Sequence, residues 1–389
     1  MKLEVWQLDP AQITPFYNFA VCTALVDAGC SVRYFTSQYL YDTELGDSEK
    51  VRKETIYFRG LNHKWLLNYP RLRRVLRGLS YPIGHYEFLR AVRRNRPEIV
   101  HIQWSRVPRF DLWLISRIQN LGIPVVHTVH DVVPLYALKG DIRPLAAIYE
   151  KVDCLLVHTD ANKTDFLRSF PSVSPDKVSV IPLVEYKEAV VPEDASRESA
   201  RRILGIPQNV PLIGYFGSIR HYKGIDVLGD AFLKIQAEHP EVHLLIGGKI
   251  DPLEKDKIPP VSVLREIPNL HLVEGYIPAN ETWPFFLAPN IFVLPYRHIY
   301  QSAALITAMG FRCPVIVTDV GGLPETIDGN GWIIPPEDPG ALANAVLEAL
   351  SDYDRLETMS RRSAWIIEER HSKMVVARTL VEIYRELLR

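Results

Sequence analysis

Short apolar runs alternate with helical stretches twice along this chain, and a polar segment separates the two copies. Such alternation specifies parallel α/β architecture, because each crossover helix covers a strand that would otherwise expose both faces. In the first half, segments 3–8, 31–35, 99–103, 125–129, 154–158 and 178–182 predict strands. Helical spacing covers 17–28, 88–94, 112–121 and 161–170. Residues 185–201, EYKEAVVPEDASRESAR, carry no strand pattern and predict a linker running into a short helix that ends at Leu204-Gly205. The alternation then restarts, with strands at 212–216, 243–246, 270–273, 291–294, 315–318 and 331–334. Helices are predicted over 225–238, 282–287, 303–309, 339–351, 352–370 and 372–388. The expectation is two facing Rossmann-like domains, 1–185 and 186–370, with a helix over 371–389. Their ligand crevice should lie at the carboxyl ends of the strands.

Length and charge agree with that plan. The 389 residues exceed one ordinary core and suit two. Forty-five Lys and Arg against 46 Asp and Glu leave a formal charge of −1, which argues against nucleic acid as the partner. The four cysteines (Cys22, Cys30, Cys154 and Cys313) form no C-x-x-C pair and have no histidine at zinc-ligand spacing. They read as reduced, buried thiols. The first residues, MKLEVWQLDPAQ, lack a basic and apolar leader, and no apolar run approaches a membrane span. A cytoplasmic location is therefore expected.

Two segments carry chemistry. In IGYFGSIRHYKG a strand runs into Gly217, then through Ser218, Arg220, His221 and Lys223 to Gly224 before a helix. That order brings amides and cations to a helix N-terminus, where an anion is welcome; its bland alternative is an ordinary strand-to-helix turn. In FVLPYRHIYQSAALITAMGFRCPVIVTDVGGLPETI, Gln301-Ser302 precede a helix starting at Ala303, and Gly321-Gly322 follow the next strand. This offers a second face to the same anion, unless Ser302 merely caps its helix and the glycines merely turn the chain.

Taken in order, GSIRHYKGIDVLGDAF, LLIGG, VEGYIP, IFVLPYR and ITAMGFRCPVIVTDVGGLPETI resemble the retaining GT-B enzymes of glycosyltransferase family 4. The resemblance covers the second half almost throughout. It is thinner in the first, at IPVVHTVHDVVP, LLVHTDANKTDF and VSVIPLV. It implies a nucleoside diphosphate sugar as donor, held mainly by the second domain. Gly217, Ser218, Arg220, Lys223, Gln301, Ser302 and Ala303 would surround the diphosphate. Gly275, Tyr276 and Ile277 would meet the base through their backbone. Glu325 would reach the ribose or sit in a surface ion pair. Ser218 stands where the family often has arginine, with Arg220 as the substitute. The family's E-x7-E signature is absent: Ile299 and Thr307 occupy its positions without a gap, and a two-residue gap would bring Gln301 to the first.

By the same resemblance, His130 matches the family's H-D position beside the donor sugar, whereas His127 and His158 read as core or supporting residues. Leu183 follows Pro182 where the family often has histidine. Tyr17 and Asn18 lie at the first strand-to-helix turn and are weak candidates for acceptor contacts. No Asp-x-Asp or His/carboxylate cluster occurs near the turns, so no metal is expected and no cofactor beyond the donor itself. The departing phosphate would take the acceptor's proton. From Lys64 to Arg96, nine basic residues face the single acidic Glu87, and Leu72, Val75, Leu76 and Leu79 share a helical face. That stretch suits an anionic membrane surface or, equally, a solvated basic face. The implied activity is sugar transfer to a hydroxyl of a sugar or lipid-linked acceptor, in polysaccharide or glycolipid assembly. A sugar-nucleotide 2-epimerase-like isomerase and a non-catalytic sugar-nucleotide-binding subunit are the alternatives.

Overall fold

Each copy of the alternating pattern closes into its own parallel sheet. In the first lie β1 (Glu4–Asp9), β2 (Ser31–Ser37), β3 (Arg52–Tyr57), β4 (Ile99–Ile102), β5 (Val125–Thr128), β6 (Cys154–Val157) and β7 (Val178–Val180), in the order β3-β2-β1-β4-β5-β6-β7. The second holds β8 (Leu212–Phe216), β9 (His243–Gly248), β10 (Leu270–Glu274), β11 (Ile291–Leu294), β12 (Val315–Thr318) and β13 (Gly331–Ile334), in the order β10-β9-β8-β11-β12-β13. The structure is a computed structural model that describes residues 2–39, 50–61, 63–133, 142–186, 191–252, 254–257 and 261–389; the side chains at 64, 67, 255 and 261–263, Lys64 included, lie outside that description. Part of the linker, 187–190, and Pro134 of the loop after His130 also fall outside it.

The chain divides into two units, Met1–Val184 with Ser372–Arg389, and Glu185–His371. In both, strand order reverses beside the first strand of the sheet, between β1 and β4 and between β8 and β11, and loops at such reversals form ligand crevices. Strands β4, β5, β6, β11 and β12 are buried at every position, as a sheet covered on both faces requires. The helix Lys373–Leu387 packs on the helix Pro15–Asp27 of the first unit, burying Val376, Ala377, Leu380 and Tyr384.

Three elements differ from expectation. Strand β3 was not anticipated, because RKETIY is an edge strand, half-exposed and charged, with no apolar run to announce it. The helical stretch expected at 88–94 is the end of a 26-residue helix, Pro70–Asn95, that continues through Pro82. A proline ring collides with the carbonyl four residues back, here that of Gly78, whose surroundings are open. The predicted helix 352–370 stops at Ile366 and widens into a π-helical turn over Ile367–His371. Arg362 and Arg370, on either side of that change, both donate to Asp328.

Candidate functional site

The second unit gathers its predicted residues at the carboxyl ends of β8 to β12. After β8 the chain turns at Gly217, whose φ of 144° favours glycine and whose amide donates to the carbonyl of Gly247 at 2.9 Å. The Lys223 ammonium lies over this turn; a Cβ on Gly217 would sit 3.2 Å from its Nζ. Lys223 is half-buried, and burial holds its pKa below the ordinary lysine value. Among the described residues no carboxylate pairs with it. Its Nζ instead lies 3.4 Å from the hydroxyl of Tyr296, a fully buried residue just beyond β11. That phenol also bonds the side chain of Ser302. The glycine turn after β8 and the helix after β11 are thus drawn together through Lys223, Tyr296 and Ser302.

Arg297 fastens the two loops. It donates to both oxygens of Asp226 (2.8 and 2.7 Å) and to the carbonyl of His221 (2.8 Å), while its own amide donates to the carbonyl of Tyr222. A bidentate arginine fixes orientation as well as distance. One consequence corrects the sequence reading. The helix Ile225–Glu238 already holds an anion at its N-terminus, since the Asp226 carboxylate accepts from its own amide and that of Val227. That helix end is thus occupied by the chain's own carboxylate, whereas the Gly217 turn with Lys223 has no carboxylate partner among the described residues.

The second helix differs. Gln301 Oε1 accepts from the Ser302 amide at 2.8 Å, and Ser302 Oγ accepts from Leu305 at 3.3 Å. Among the described residues no acceptor answers the amides of Ala303 and Ala304, so the cap leaves donors exposed at this terminus. Gly321 serves the chain itself: a Cβ there would lie 1.7 Å from the carbonyl oxygen of Ile299, and the Gly322 amide donates to Tyr300. These glycines let the 299–302 loop rest on them. Thr307 is buried within its helix.

Arg220 is held against Asp251 at 3.1 Å, so its charge is already shared. The carbonyl of Ser218 accepts from Tyr215. Gly275 donates to the carbonyl of Gly248, which places it beside the Gly217 turn; Tyr276 is exposed, and Ile277 packs against the cluster of Trp283 and Phe285. Glu325 is exposed in the turn Pro324–Thr326 beyond β12.

In the first unit His130 follows β5 and is half-buried. Its ring stacks on Trp104 (centroids 4.7 Å apart) and meets the edge of Tyr17 (4.9 Å). Nε2 lies 3.2 Å from Gln103 Oε1, and Nδ1 lies 3.3 Å from His158 Nε2. His158 Nδ1 faces the carbonyl of Ile181 at 3.2 Å and donates to it, which makes its Nε2 an acceptor; the single proton of a neutral His130 then answers either His158 Nε2 or Gln103 Oε1. Burial, then the nearby His158, His127 and His101, hold the pKa of His130 well below the ordinary histidine value. The ring is neutral at neutral pH.

Behind it lies a network that sequence reasoning missed. His101, pushed down by burial to about 3, faces Tyr384 at 2.7 Å, Gln7 at 3.0 Å and Thr128 at 2.7 Å, while Gln103 donates to Gln7 at 2.8 Å. The available signal was polar alternation in otherwise apolar runs, H-x-Q running off the end of β4 and Q-x-D on β1. His127 is buried with its Nε2 3.0 Å from the Ser105 hydroxyl, and His158 lies behind His130. Asn18 does not face a ligand. It donates to Asp9 at 2.7 Å and lies 3.2 Å from the Tyr34 hydroxyl inside the unit. Among the described residues no three His, Cys, Asp or Glu side chains cluster as metal ligands.

A model described as Glycosyltransferase Family 4 matches residues 16–183, and one described as Glycosyl transferases group 1 matches residues 210–352. The D-inositol 3-phosphate glycosyltransferase of Corynebacterium urealyticum is 27% identical over 294 residues, 71% of this chain and 68% of that protein. Its counterpart in Corynebacterium jeikeium is 26% identical across 62% of this chain and 61% of its own length, less than two thirds. Sucrose-phosphate synthase from Thermosynechococcus elongatus shares the fold with a TM-score of 0.74 at 21% identity, covering 99% of both chains. Anabaena HepE, in complex with UDP and glucose, does so with a TM-score of 0.74 at 13% identity, covering 99% of this chain and 100% of its own. With one family model on each unit and the GT-B fold shared along its length, the chain belongs to the family 4 glycosyltransferases.

Proposed function

We propose that this glycosyltransferase moves a sugar from a nucleoside diphosphate donor to a hydroxyl acceptor, with retention of configuration and without a required metal. The observation that carries the reading is the convergence of Lys223, Tyr296 and Ser302, which brings an ammonium with no carboxylate partner among the described residues to the helix that begins with the Ala303 and Ala304 amides. A departing diphosphate gathers negative charge, and preorganised donors in a partly buried site stabilise that charge strongly. Arg220, shared with Asp251, adds to the field. The backbone at Gly275, Tyr276 and Ile277 would meet the base, and Glu325 the ribose. His130, neutral and fixed by Trp104 and His158, would offer Nε2 to a hydroxyl of the transferred sugar. The leaving phosphate would collect the acceptor proton, so no separate base is assigned.

The reading includes attachment to an anionic membrane through the helix Pro70–Asn95 and the segment before it. Trp65, Tyr69, Leu72, Val75, Leu79, Ile83 and Tyr86 form a stripe at helical spacing, exposed to 70% at Leu79, with Arg71, Arg74 and Arg90 exposed on the same helix. A contiguous exposed apolar stripe edged by cations is the pattern of a helix lying in a lipid interface. Among the described residues no helix is long and apolar enough to cross a membrane.

Incubation with a panel of nucleoside diphosphate sugars, followed by product separation, tests the activity. The expected products are free nucleoside diphosphate and a glycoside of unchanged anomeric configuration, formed equally with a chelator present. An epimerised or released sugar would point to an isomerase, and binding without turnover to a non-catalytic subunit.

A further inference from the structure

Five polar side chains behind His130 are each at most 1% exposed: Gln7 on β1, His101 on β4, Gln103 just past β4, Thr128 on β5 and Tyr384 on the helix Lys373–Leu387. Groups buried this deep pair with one another, and a series of donors and acceptors has a direction. Here the direction can be read atom by atom. Gln103 Nε2 donates to Gln7 Oε1 at 2.8 Å, so the Gln7 amide turns its nitrogen toward His101, 3.0 Å from Nδ1. An amide nitrogen only donates, which makes His101 Nδ1 an acceptor. The Tyr384 hydroxyl, 2.7 Å away, donates to the same atom. His101 is neutral, since burial pushes it down to about 3, and its one proton sits on Nε2, 2.7 Å from Thr128 Oγ1.

This order leaves Gln103 with one function free. Its nitrogen is given to Gln7 and also lies 3.3 Å from His101 Nε2, so the nitrogen side of the amide is turned inward. Its oxygen faces His130 Nε2 at 3.2 Å, and an amide oxygen only accepts. The His130 ring thus has one proton and two fixed acceptors, Gln103 Oε1 and His158 Nε2. The ring's own chemistry breaks the tie. A neutral histidine carries its proton on Nε2 in preference to Nδ1, and a carbonyl oxygen accepts over a broad range of directions.

We infer that Gln103 is a positioning residue that fixes the proton of His130 on Nε2, with Gln7 and His101 holding its amide in the orientation that does so. The inference rests on the reading in which His130 Nε2 meets a hydroxyl of the transferred sugar. It makes the ring a donor to that oxygen and not an acceptor from it, because the partner of a histidine nitrogen sets which nitrogen is protonated.

Long-range proton–nitrogen correlation spectra of the full chain, labelled with nitrogen-15 at histidine, read the tautomer directly and without activity. The His130→Ala spectrum assigns the ring. Wild type should show His130 protonated on Nε2. In Gln103→Leu the proton should move to Nδ1, toward His158. Turnover should then fall about 10- to 100-fold, the range lost when the partner that orients a liganding histidine is removed, with nucleoside diphosphate affinity unchanged. Gln103→Glu keeps an oxygen in that place and should keep a proton on Nε2. An Nδ1-protonated ring in wild type, or an Nε2-protonated ring that persists in folded Gln103→Leu, overturns the inference. Should Gln103→Leu fail to fold, wild type and Gln103→Glu still decide, and a Gln103→Glu ring whose only proton is on Nδ1 overturns it equally. A tautomer that moves as described while turnover stays at the wild-type value supports the hold of Gln103 on the ring and overturns instead the placing of His130 beside the sugar.

Discussion

The two units wind their sheets in the same order and then treat the turn after the first strand in opposite ways. Beyond β8 the turn is Gly217 with Lys223 laid over it, and no carboxylate answers that ammonium among the described residues. Beyond β1 the chain supplies its own anion. Asp9 is fully buried, and its carboxylate collects the amides of Ala11, Gln12 and Ile13 within 3.2 Å. A phosphate would need those amides, so the first unit's turn is closed to one there. The same topology thus leaves a lysine without a carboxylate partner where glycine and lysine follow the strand, the place proposed for an anion, and makes a self-sealed loop where aspartate ends it. In the first unit the proposed chemistry therefore falls elsewhere, on His130 in the β5 loop.

If that division of labour holds, the largest effect should come from His130. His130→Ala removes a positioned group from the first unit while leaving the second untouched. Turnover should fall about 100- to 1000-fold, the range seen when one preorganised contact to a transition state is deleted, with nucleoside diphosphate affinity unchanged. Steady-state kinetics beside calorimetry checks this; wild-type turnover in a folded variant would make the ring a packing residue.

Asp9 tests the sealed turn. Burial, opposed by its hydrogen bonds, pushes its pKa from the ordinary 3.8 up to about 6. The folded chain therefore holds this proton more tightly than the unfolded chain does. The associated stability is present in full below about pH 4 and lost as pH rises through 6. Over that window wild type should lose about 2 kcal/mol relative to Asp9→Asn between pH 4 and pH 7. Denaturation curves of both proteins at the two pH values measure it. A gap independent of pH would mean that folding leaves this carboxyl's pKa at its unfolded value.

The smallest effects belong to the exposed stripe. Replacing one cation such as Arg71 by serine should weaken attachment to anionic vesicles about fivefold, since each basic side chain near such a surface contributes about 1 kcal/mol. Leu79→Ser should weaken it as well without disturbing the fold. Co-sedimentation at low salt reads both, and a wild-type chain that ignores anionic vesicles would leave the stripe to another partner.

The contrast between units also explains what was legible beforehand. In the second unit the chemistry is local: Gly217, Lys223 and the Gln301-Ser302 turn each declare themselves within a few residues. The exception is Tyr296, whose role depends on bringing two loops 73 positions apart into contact. In the first unit almost nothing is local. His130 was visible from its place after a strand, but its surroundings come from β1, β4, β5, β6 and the final helix, through Gln7, His101, Gln103, Thr128, His158 and Tyr384. No window of sequence contains that set. The basic stretch was visible as charge, yet only the helix Pro70–Asn95 shows that Arg73 and Arg77 line a cavity while Leu72 and Leu79 face outward.

The central claim is that the Gly217 turn and Lys223 hold a nucleoside diphosphate, and thermal unfolding against a panel of these compounds tests it most directly. At a hundredfold excess over the dissociation constant a ligand adds about 2.7 kcal/mol to the native state, enough to raise the Tm by several degrees. At least one nucleoside diphosphate should do so in wild type. In Lys223→Ala the shift should shrink in step with an affinity at least about tenfold lower. A full panel without a shift, or an equal shift in the Lys223 variant, would contradict the account.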